Sequence, residues 1–212
     1  MEFEVFDLGL TGFEEALRFQ KELFSRVKAG ALNGALVLCS HHPVITTGRR
    51  AKAGAILVSD IELERRGIPV YQTERGGEVT YHGPGQLTLY PVINLGRLKK
   101  DIRYFLRELE GSAIDMLSEL GIKGSRRGRL TGVWVEGRKV ASIGIAVRNW
   151  ITFHGMSINI KKDDLSNFRL IRPCGMDIRM TSVETVSGRS IDMAQVGAML
   201  TDGLKKRFST VN

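Results

Sequence analysis

The residue of this chain best suited to covalent chemistry is a cysteine in its C-terminal quarter. Cys174 lies in IRPCGMD, where Pro173 restricts the backbone before the sulfur and Gly175 lets main chain approach it closely. The amides of Cys174 and Gly175 could therefore face a group bound to the sulfur and stabilise an oxyanion. Cys39 instead ends the apolar run ALVLC, which is typical of a small buried side chain.

A thiol needs a neighbouring cation or base to react near neutral pH, because its unperturbed pKa is about 8.5. The histidines that could help are His41, His42, His82 and His154. Lys139, in GRKVASIGI, is the other candidate, although a lysine at the start of a strand is usually a solvated surface group. Spacing along the chain does not choose between a Cys–His pair and a Cys–Lys pair.

A glycine-rich segment, RGGEVTYHGPGQ at residues 75–86, is the most unusual stretch of the chain. Its glycines are Gly76, Gly77, Gly83 and Gly85. Arg75 stands beside the first two, so bare N–H groups lie next to a cation, an arrangement that suits a carbonyl or an anion. Together with Thr80, Tyr81 and His82, this composition favours a ligand-binding loop over a plain turn.

Nucleotide and metal motifs do not occur in the sequence. The nearest approach to a P-loop, residues 132–137, is followed by Arg138, and no G-x-G-x-x-G follows a strand. C-x-x-C and H-E-x-x-H are likewise missing. Cys39, His41 and His42 are close in sequence, but neighbours on a strand point to opposite faces. We therefore expect neither a metal nor a cofactor.

Composition limits the class of protein. The chain has 212 residues, of which 42% are hydrophobic and 25% charged, as in a globular domain. No apolar run approaches the ~20 residues of a membrane span, and the start MEFEVFDLGL lacks the regions of a secretory signal. Two cysteines are too few for a disulfide framework. We expect a single domain over residues 1–212 and a cytoplasmic location.

Positive charge exceeds negative charge, with 31 Lys and Arg against 23 Asp and Glu, a net charge of +8. A pI near 9.7 is compatible with an acidic protein or a nucleic acid as partner. The charges are scattered, however, and no run reaches the roughly five like charges of a basic tail. Ordinary solvated surface is the simpler interpretation.

Alternating hydrophobicity predicts a series of strands. They cover residues 2–8, 35–39, 68–73, 86–95, 131–136, 139–148 and 151–160. We expect Phe3, Val5 and Phe6 to point inward from the first. Pro91 argues for an edge position or a bulge in the fourth, and Glu136-Gly137-Arg138 predicts a hairpin turn.

Capping residues predict the helices. They run from about 11 to 30, 59 to 67, 101 to 120 and 192 to 208. Thr11 and Ser59 each precede a glutamate by three residues, the spacing of a capping box. Asp101 can cap the third helix, and Gly121 fits the position just after it. Hairpins interspersed with helices favour an α+β fold with a mixed or antiparallel sheet.

Three ordered segments carry a resemblance to a known family. They are RGGEVTYHGPGQLTLYPVINL (75–95), TGVWVEGRKVASIGIAVRNWITFHGMSINI (131–160) and IRPCGMDIRMTSV (171–183). Together they resemble the lipoyl(octanoyl) transferase family of lipoate biosynthesis. The resemblance implies the fold of biotin and lipoate protein ligases, a single domain in which an α+β sheet encloses an acyl-binding cavity.

The resemblance also implies an activity and its partners. An octanoyl group would pass from acyl-carrier protein to a lysine of lipoyl domains, in 2-oxoacid dehydrogenase complexes and in the glycine cleavage H protein. Cys174 matches the cysteine that accepts the acyl group, and Lys139 matches the lysine that partners it and lowers its pKa. From the chemistry of the reaction we further expect Lys139, once neutral, to accept the proton of the attacking amine. Neither a cofactor, nor nucleic acid, nor a membrane is involved.

Substrate-binding positions follow from the same resemblance. They are Arg75, Gly76, Gly77, Glu78, Val79, Thr80, Tyr81, His82, Ser142, Ile143, Gly144, Gly155, Met156 and Ser157. Where the family usually reads His-Pro-Pro, this chain has His41-His42-Pro43. The row Arg126, Arg127 and Arg129 is a candidate rim for an acidic carrier protein.

Alternative functions remain open at this point. An ATP-dependent lipoate or biotin ligase would share the fold but need no cysteine nucleophile. A basic nucleic-acid-binding protein is suggested only by the pI, without a helix-turn-helix or an aromatic-basic pattern. A scaffold with a structural Cys174 would form no acyl adduct.

Overall fold

The computed structural model describes residues 2–128, 130–172 and 178–209. The strands are β1 (Glu4–Thr11), β2 (Gly34–His41), β3 (Val44–Thr47), β4 (Val70–Gln72), β5 (Val79–His82), β6 (Gln86–Ile93), β7 (Ser125–Arg127), β8 (Leu130–Val135), β9 (Arg138–Arg148) and β10 (Ile151–Asn159). The helices are α1 (Phe13–Lys28), α2 (Asp60–Arg65), α3 (Leu95–Leu98), α4 (Ile102–Glu119), α5 (Val183–Ser187) and α6 (Met193–Ser209), with a 3-10 helix at Asp163–Leu170.

Seven strands form one mixed sheet in the order β1-β2-β6-β10-β9-β8-β7. In it β1 runs parallel to β2, and the remaining neighbours are antiparallel. A smaller sheet has the order β4-β3-β5, with β3 parallel to β4 and antiparallel to β5. The expected α+β fold with a mixed sheet is confirmed, while the separate small sheet was not predicted.

The two faces of the larger sheet are covered differently. One face packs an apolar cluster against α4 and α6, with members Leu36, Leu38, Leu87, Leu89, Ile158, Phe105, Leu109, Leu200 and Phe208. The other face is covered in part by α1, through Ala35, Val37, Cys39, Tyr90, Val92, Ala16, Leu23 and Val27. A third cluster, including Ile45, Val79, Tyr81 and Phe168, lies against the small sheet. Residues of this second face and of the small sheet line one cleft.

Local turn chemistry accounts for the best-predicted elements. Asp101 Oδ1 accepts from the Tyr104 amide at 3.0 Å, and Ser59 Oγ accepts from the Glu62 amide at 3.3 Å, so both predicted caps are confirmed. The β8–β9 hairpin turns at Glu136 and Gly137, with φ of +49° and +76°. These positive values are those of a type I′ turn, whose twist suits a two-residue hairpin.

The N-terminal elements differ from prediction in two ways. Helix α1 begins at Phe13 with Gly12 as N-cap and no side-chain cap, so the Thr11 capping box is wrong. Thr11 ends β1 instead, and its hydroxyl donates to Glu15 Oε2 at 2.8 Å. Val5 is exposed rather than inward, and it lies on β1, which is the edge strand of the larger sheet. Phe3, by contrast, is buried as expected.

Pro91 lies inside the larger sheet, so an edge position for it is wrong. Its strand β6 has β2 on one side and β10 on the other. The β6–β10 pairing ends at Leu89 and Met156, and beyond it β10 carries a φ of +55° at His154. The Thr152 hydroxyl donates to the Pro91 carbonyl at 2.7 Å, in place of a backbone ladder. The irregularity therefore lies in the partner strand, which is why a residue without an N–H is tolerated.

Candidate active site

A cleft opens between the larger sheet, the small sheet and the segment 75–80. It contains about 630 Å³ of space, its mouth included. Its lining residues are Phe13, Thr46, Arg75, Gly77, Glu78, Val79, Thr80, His82, Thr88, Tyr90, Lys139, Ser142, Ile143, Gly144, His154, Gly155, Met156 and Ser157. Of the three sequence segments that carry the family resemblance, residues 75–95 and 131–160 both line this cavity.

The floor of the cleft is a row of short side chains across adjacent strands. Ser142 on β9 pairs with Ser157 on β10, Ser157 with Thr88 on β6, and Thr88 with Cys39 on β2. Beside this row, Gly144 pairs with Gly155. Because a row runs across the strands, these residues form a trough perpendicular to the strand direction. We call Ser142, Ser157 and Thr88 the floor row.

Arg75 joins the segment over the cleft to both sheets. This side chain is buried, and its Nη2 donates to the Thr46 carbonyl at 2.6 Å while Nε donates to Thr46 Oγ1 at 3.2 Å. The Gly76 amide donates to the Ile145 carbonyl of β9 at 2.8 Å. A Cβ at Gly144 would lie 2.8 Å from the Gly76 carbonyl oxygen, so glycine is needed for this approach. The glycine-rich segment is therefore held over the cleft by hydrogen bonds to both sheets.

Lys139 stands at the β8 side of the cleft, with only 7% of its surface exposed. Its Nζ lies 5.1 Å from the centroid of the Trp134 ring, a cation–π geometry. Gly132 has a φ of +136°, and a Cβ there would lie 2.6 Å from Lys139 Cε. The solvated surface role that is usual for a lysine does not apply here. The side chain is instead packed into the wall of the cavity.

A buried carboxylate holds the backbone beside Lys139. Glu110 on α4 is 1% exposed, and its Oε1 accepts from the Gly132 amide at 3.1 Å. Its Oε2 accepts from Arg107 at 2.7 Å and from Arg126 at 3.0 Å, so the buried charge is compensated. Of the proposed basic rim, Arg126 is therefore engaged within the protein. Arg127 is exposed, and Arg129 lies outside the described residues.

The proposed nucleophile Cys174 also lies outside the described residues, with Pro173 and Gly175. The chain on either side of it makes backbone hydrogen bonds to the rest of the molecule. The Arg172 amide donates to the Ala55 carbonyl at 2.8 Å. After the gap, the Lys139 amide donates to the Arg179 carbonyl at 2.8 Å, and the Thr181 amide donates to the Lys139 carbonyl at 2.9 Å. Lys139 is thus tied directly to the segment that follows the cysteine.

Three of the four candidate histidines are buried in or beside the cleft. His41 Nδ1 lies 3.2 Å from the Thr11 carbonyl, to which it donates, so Nε2 is left to accept from the Tyr90 hydroxyl at 2.7 Å. Burial lowers the pKa of His41 to about 4. Burial also lowers the pKa of His82 well below its ordinary value and that of His154 to about 4. These rings are therefore neutral at pH 7, which makes each a poor cation for a thiolate.

Two polar atoms on the cleft surface have no hydrogen-bond partner among the residues that the structure describes. They are Thr88 Oγ1 and His154 Nε2, and both are buried. The His154 ring nitrogen lies 3.6 Å from Glu74 Oε2, beyond hydrogen-bond distance. The His154 amide, in contrast, donates to Gln20 Oε1 at 2.8 Å. The backbone turn at His154 is therefore fixed, while part of the floor remains unsatisfied.

The cleft brings together most of the residues expected to bind substrate, but not all. Tyr81 does not line it: strand alternation turns this ring toward Phe168, at 5.7 Å between centroids, and Asn167 donates to its hydroxyl at 2.9 Å. Gly76 contributes the hydrogen bond to β9 rather than cavity surface. Cys39 is buried as expected, and burial raises the pKa of its thiol. His42 is exposed.

Several lining residues were not found from the sequence. Thr88 and Tyr90 alternate with Leu87 and Leu89 in QLTLY, a period of two that assigns them to the opposite face of the strand. That signal could have found them once the cleft face was known. Phe13 and Thr46 come from α1 and β3 and carry no local signal.

Among residues 2–128, 130–172 and 178–209, no three histidine, cysteine or acidic side chains are grouped to hold a metal ion. No helix within the same part of the chain is both long and apolar enough to cross a bilayer.

Comparison with known proteins places this geometry in a family. Residues 13–205 match the family described as lipoyl protein ligase A/B catalytic domain. An octanoyltransferase of Thermoanaerobacter sp. (strain X514) is 41% identical over 207 residues, which cover 97% of this chain and 90% of that relative.

Solved structures agree on the fold. Lipoate-protein ligase A bound with ATP superposes with a TM-score of 0.80 at 17% identity, covering 97% of this chain and 85% of that one. Biotin protein ligase from Aquifex aeolicus gives a TM-score of 0.56 at 12% identity, covering 99% and 70%. At such identities these likenesses establish the fold alone, and the expected biotin and lipoate ligase architecture is confirmed.

Proposed function

The chain belongs to the octanoyltransferase family of acyltransferase enzymes, and on that premise we propose that it transfers the octanoyl group through a thioester on Cys174. The donor in this proposal is octanoyl-acyl-carrier protein. The acceptors are lysine amines of lipoyl domains in 2-oxoacid dehydrogenase complexes and the glycine cleavage H protein. The reaction takes place in the cytoplasm, without metal, cofactor, nucleic acid or membrane.

The chemistry of the two steps suits a cysteine. In the first, the Cys174 thiolate attacks the donor thioester, a new thioester forms, and the carrier sulfur leaves as a thiol with a proton taken from Lys139, which becomes neutral. One thioester replaces another, so little driving force is lost and no ATP is needed. In the second step the lysine amine attacks the enzyme thioester, an amide forms, and the Cys174 thiolate leaves. This step is downhill, because an amide is more stable than a thioester.

Lys139 is the residue that we assign to activating the sulfur. An ammonium beside a thiol lowers the pKa of that thiol, because the positive charge favours the thiolate. In its neutral form the Lys139 amine can accept the proton released by the attacking lysine. The observation that carries this assignment is the burial of Lys139 in the cleft wall, against Gly132 and Trp134 and tied to the segment after Cys174. The buried histidines, being neutral, are weaker candidates.

The remaining parts of the cleft are assigned by their chemistry. The acyl chain lies along the floor row, and the substrate contacts are made by the lining residues of the 142–144 and 155–157 stretches together with Arg75, Gly77, Glu78, Val79, Thr80 and His82. Amides of Gly77 or Gly175 hold the developing oxyanion, and Gly77 has the positive φ, +90°, that turns a backbone toward a ligand. The net charge of +8 steers acidic carrier proteins toward the enzyme, and Arg127 and Arg129 belong to the docking rim.

The nucleophile is tested by intact-mass analysis after mixing the protein with octanoyl-carrier protein in the absence of ATP. We expect one octanoyl adduct on the wild-type chain and on Cys39→Ala, its matched control, and none on Cys174→Ala. Adduct formation only with ATP present would indicate a ligase instead. An adduct that persists in Cys174→Ala would contradict the assigned nucleophile.

The role of Lys139 is tested by substitution. Lys139→Met should lower the rate of transfer by about 10²–10⁴-fold, the usual contribution of a positioned acid or base, and slow alkylation of Cys174 at neutral pH. Lys123→Met removes an exposed ammonium and should change neither rate. Unchanged alkylation kinetics in Lys139→Met would remove this residue from thiolate activation.

A further inference from the structure

One end of the cleft is closed by a cluster of aromatic rings. Phe13, His82 and Tyr90 line the cavity, and His41 stands behind all three. The His41 ring centroid lies 5.7 Å from those of Phe13 and His82 and 5.8 Å from that of Tyr90. We call these four residues the aromatic wall.

Hydrogen bonds fix the wall in place. His41 is held through Nδ1 by the Thr11 carbonyl and through Nε2 by the Tyr90 hydroxyl, so neither ring can turn without breaking a buried bond. His82 Nδ1 lies 3.2 Å from Gln86 Oε1. On its outer side Phe13 stacks on Tyr71, with 5.4 Å between centroids. Buried groups whose partners are lost incur the full desolvation penalty, which makes this wall rigid.

The distance from the Lys139 end of the cleft to the aromatic wall follows from the strand order. Lys139 and Ser142 are on β9, and Thr88 and Tyr90 are on β6, with only β10 between the two strands. Adjacent strands are about 4.8 Å apart, so the floor row from Ser142 to Thr88 spans about 10 Å. Beyond Thr88 the next position of the row is Cys39, which the wall covers through its contact with His41, 3.5 Å between Sγ and Nε2.

An extended acyl chain can be compared with this span. Three backbone bonds of an extended polypeptide cover ~3.5 Å, or about 1.2 Å per bond, and an alkyl chain has similar geometry. The seven carbon–carbon bonds of an octanoyl group then cover about 8 Å, and the eleven of a dodecanoyl group about 13 Å. Eight carbons fit above the floor row, whereas twelve would extend into the space of the aromatic wall.

We infer that the hydrogen-bonded pair His41 and Tyr90, at the end of the floor row, sets the upper limit of acyl chain length. This inference rests on the proposed function, because it takes the cleft as the acyl site. The substrate class is a saturated straight-chain acyl thioester, and the limit is steric: carbons beyond the span meet fixed rings instead of open space. Thr88 is the last floor position before the wall.

The test measures the ratio of kcat/KM for dodecanoyl- and octanoyl-carrier protein, a ratio that does not depend on how much of the enzyme is active. Tyr90→Leu shortens the wall and should raise this ratio by about tenfold or more, the scale of discrimination by methylene groups in an apolar pocket. Thr88→Leu fills the floor before the wall and should lower octanoyl relative to hexanoyl transfer by about tenfold. Tyr104→Leu, on α4 outside the cleft, is the matched control and should change neither ratio.

The outcomes separate this inference from the function on which it rests. A wild-type chain that forms no octanoyl adduct contradicts the proposed function. Octanoyl transfer by the wild type, with the dodecanoyl ratio unchanged in Tyr90→Leu, overturns the chain-length limit alone. If Tyr90→Leu fails to fold, Thr88→Leu decides the question: a hexanoyl preference supports the limit, and an unchanged preference overturns it.

Discussion

The two faces of the seven-stranded sheet have different surroundings, although the same strands form both. Along β6, Leu87 and Leu89 enter the apolar cluster with α4 and α6, while Thr88 and Tyr90 enter the cleft. The first face contains close-packed hydrocarbon, whereas the part of the second face that lines the cleft contains hydroxyls, glycines and neutral histidines. Alternation along a strand therefore places neighbouring residues in different surroundings, one in the apolar core and the next in the cleft.

This difference between the faces predicts which substitutions affect stability and which affect chain-length preference. Substitutions on the apolar face should alter the free energy of unfolding and leave chain-length preference unchanged. Substitutions or pH changes on the cleft side should act through polar groups that the apolar face lacks.

Acidification has the largest expected effect, because it acts on several cleft-side groups together. The folded-state pKa values of His41 and His154 lie at about 4, below the ~6.5 of an unfolded chain. Above pH 6.5 both states are neutral and nothing is lost. As the pH falls below 6.5 the unfolded chain binds protons that the folded chain excludes, so stability decreases. Between pH 7.5 and 5.0 each should cost roughly 2 kcal/mol of unfolding free energy.

Urea unfolding at the two pH values measures this loss. His154→Asn is the informative variant, because asparagine tolerates the φ of +55° found there. It should reduce the acid-induced loss by roughly 2 kcal/mol, whereas His42→Asn, at an exposed site, should have a much smaller effect, because His42 is only the smallest contributor to the lowered pKa of His41. An acid response that is the same in all three proteins would mean that the cleft side does not carry it.

A pair of neighbouring substitutions on β6 tests the comparison directly. Leu89→Ala removes a fully buried side chain and should lower the free energy of unfolding by about 2–5 kcal/mol. Thr88→Val replaces a buried hydroxyl that lacks a partner in the described structure, so stability should stay within about 1 kcal/mol of wild type. Chemical denaturation of both variants gives the difference. Equal losses at the two positions would contradict the division of the faces.

Glu110→Gln should lower the free energy of unfolding by less than Leu89→Ala does. The amide oxygen can still accept from the Gly132 amide, but the charge that pairs with Arg107 and Arg126 is lost. Both arginines are partly exposed, so a loss of about 1–2 kcal/mol is expected. Transfer should slow as well, because Gly132 packs against Lys139. Glu119→Gln, exposed at the end of the same helix, is the control for both measurements.

Sequence patterns predicted the elements whose geometry is decided locally. The Asp101 and Ser59 caps and the Glu136-Gly137 turn each depend on residues within a few positions of one another. The capping box predicted at Thr11 was wrong although its spacing was right, because β1 extends to Thr11 and Gly12 is the N-cap of α1. A short sequence pattern does not show that a residue is already part of the preceding strand.

The site was predicted in composition but not in arrangement. The resemblance supplied Lys139 and the residues 75–82, yet strand alternation turns Tyr81 out of the cleft, and only the pairing of β5 reveals this. His41 and Tyr90 meet because β2 and β6 are neighbours, although 49 positions separate them in the sequence. Pro91 was misplaced for the same reason. The hydrogen bond to the Pro91 carbonyl comes from Thr152 on β10, which is distant in the sequence.

Pro91 has a consequence for motion in the sheet. In an antiparallel pair a residue directs its N–H and C=O to the same neighbour, and the Pro91 carbonyl faces β10. The join between β6 and β10 is therefore made there by the Thr152 hydroxyl, and fewer main-chain bonds must break for it to separate. In native-state hydrogen exchange, the amide of Ile93, which donates to Thr152 Oγ1 at 3.0 Å, is the one that reports this seam. Thr152 lies on the same strand as Gly155, which lines the cleft, so this side-chain join between the strands adjoins the cleft surface.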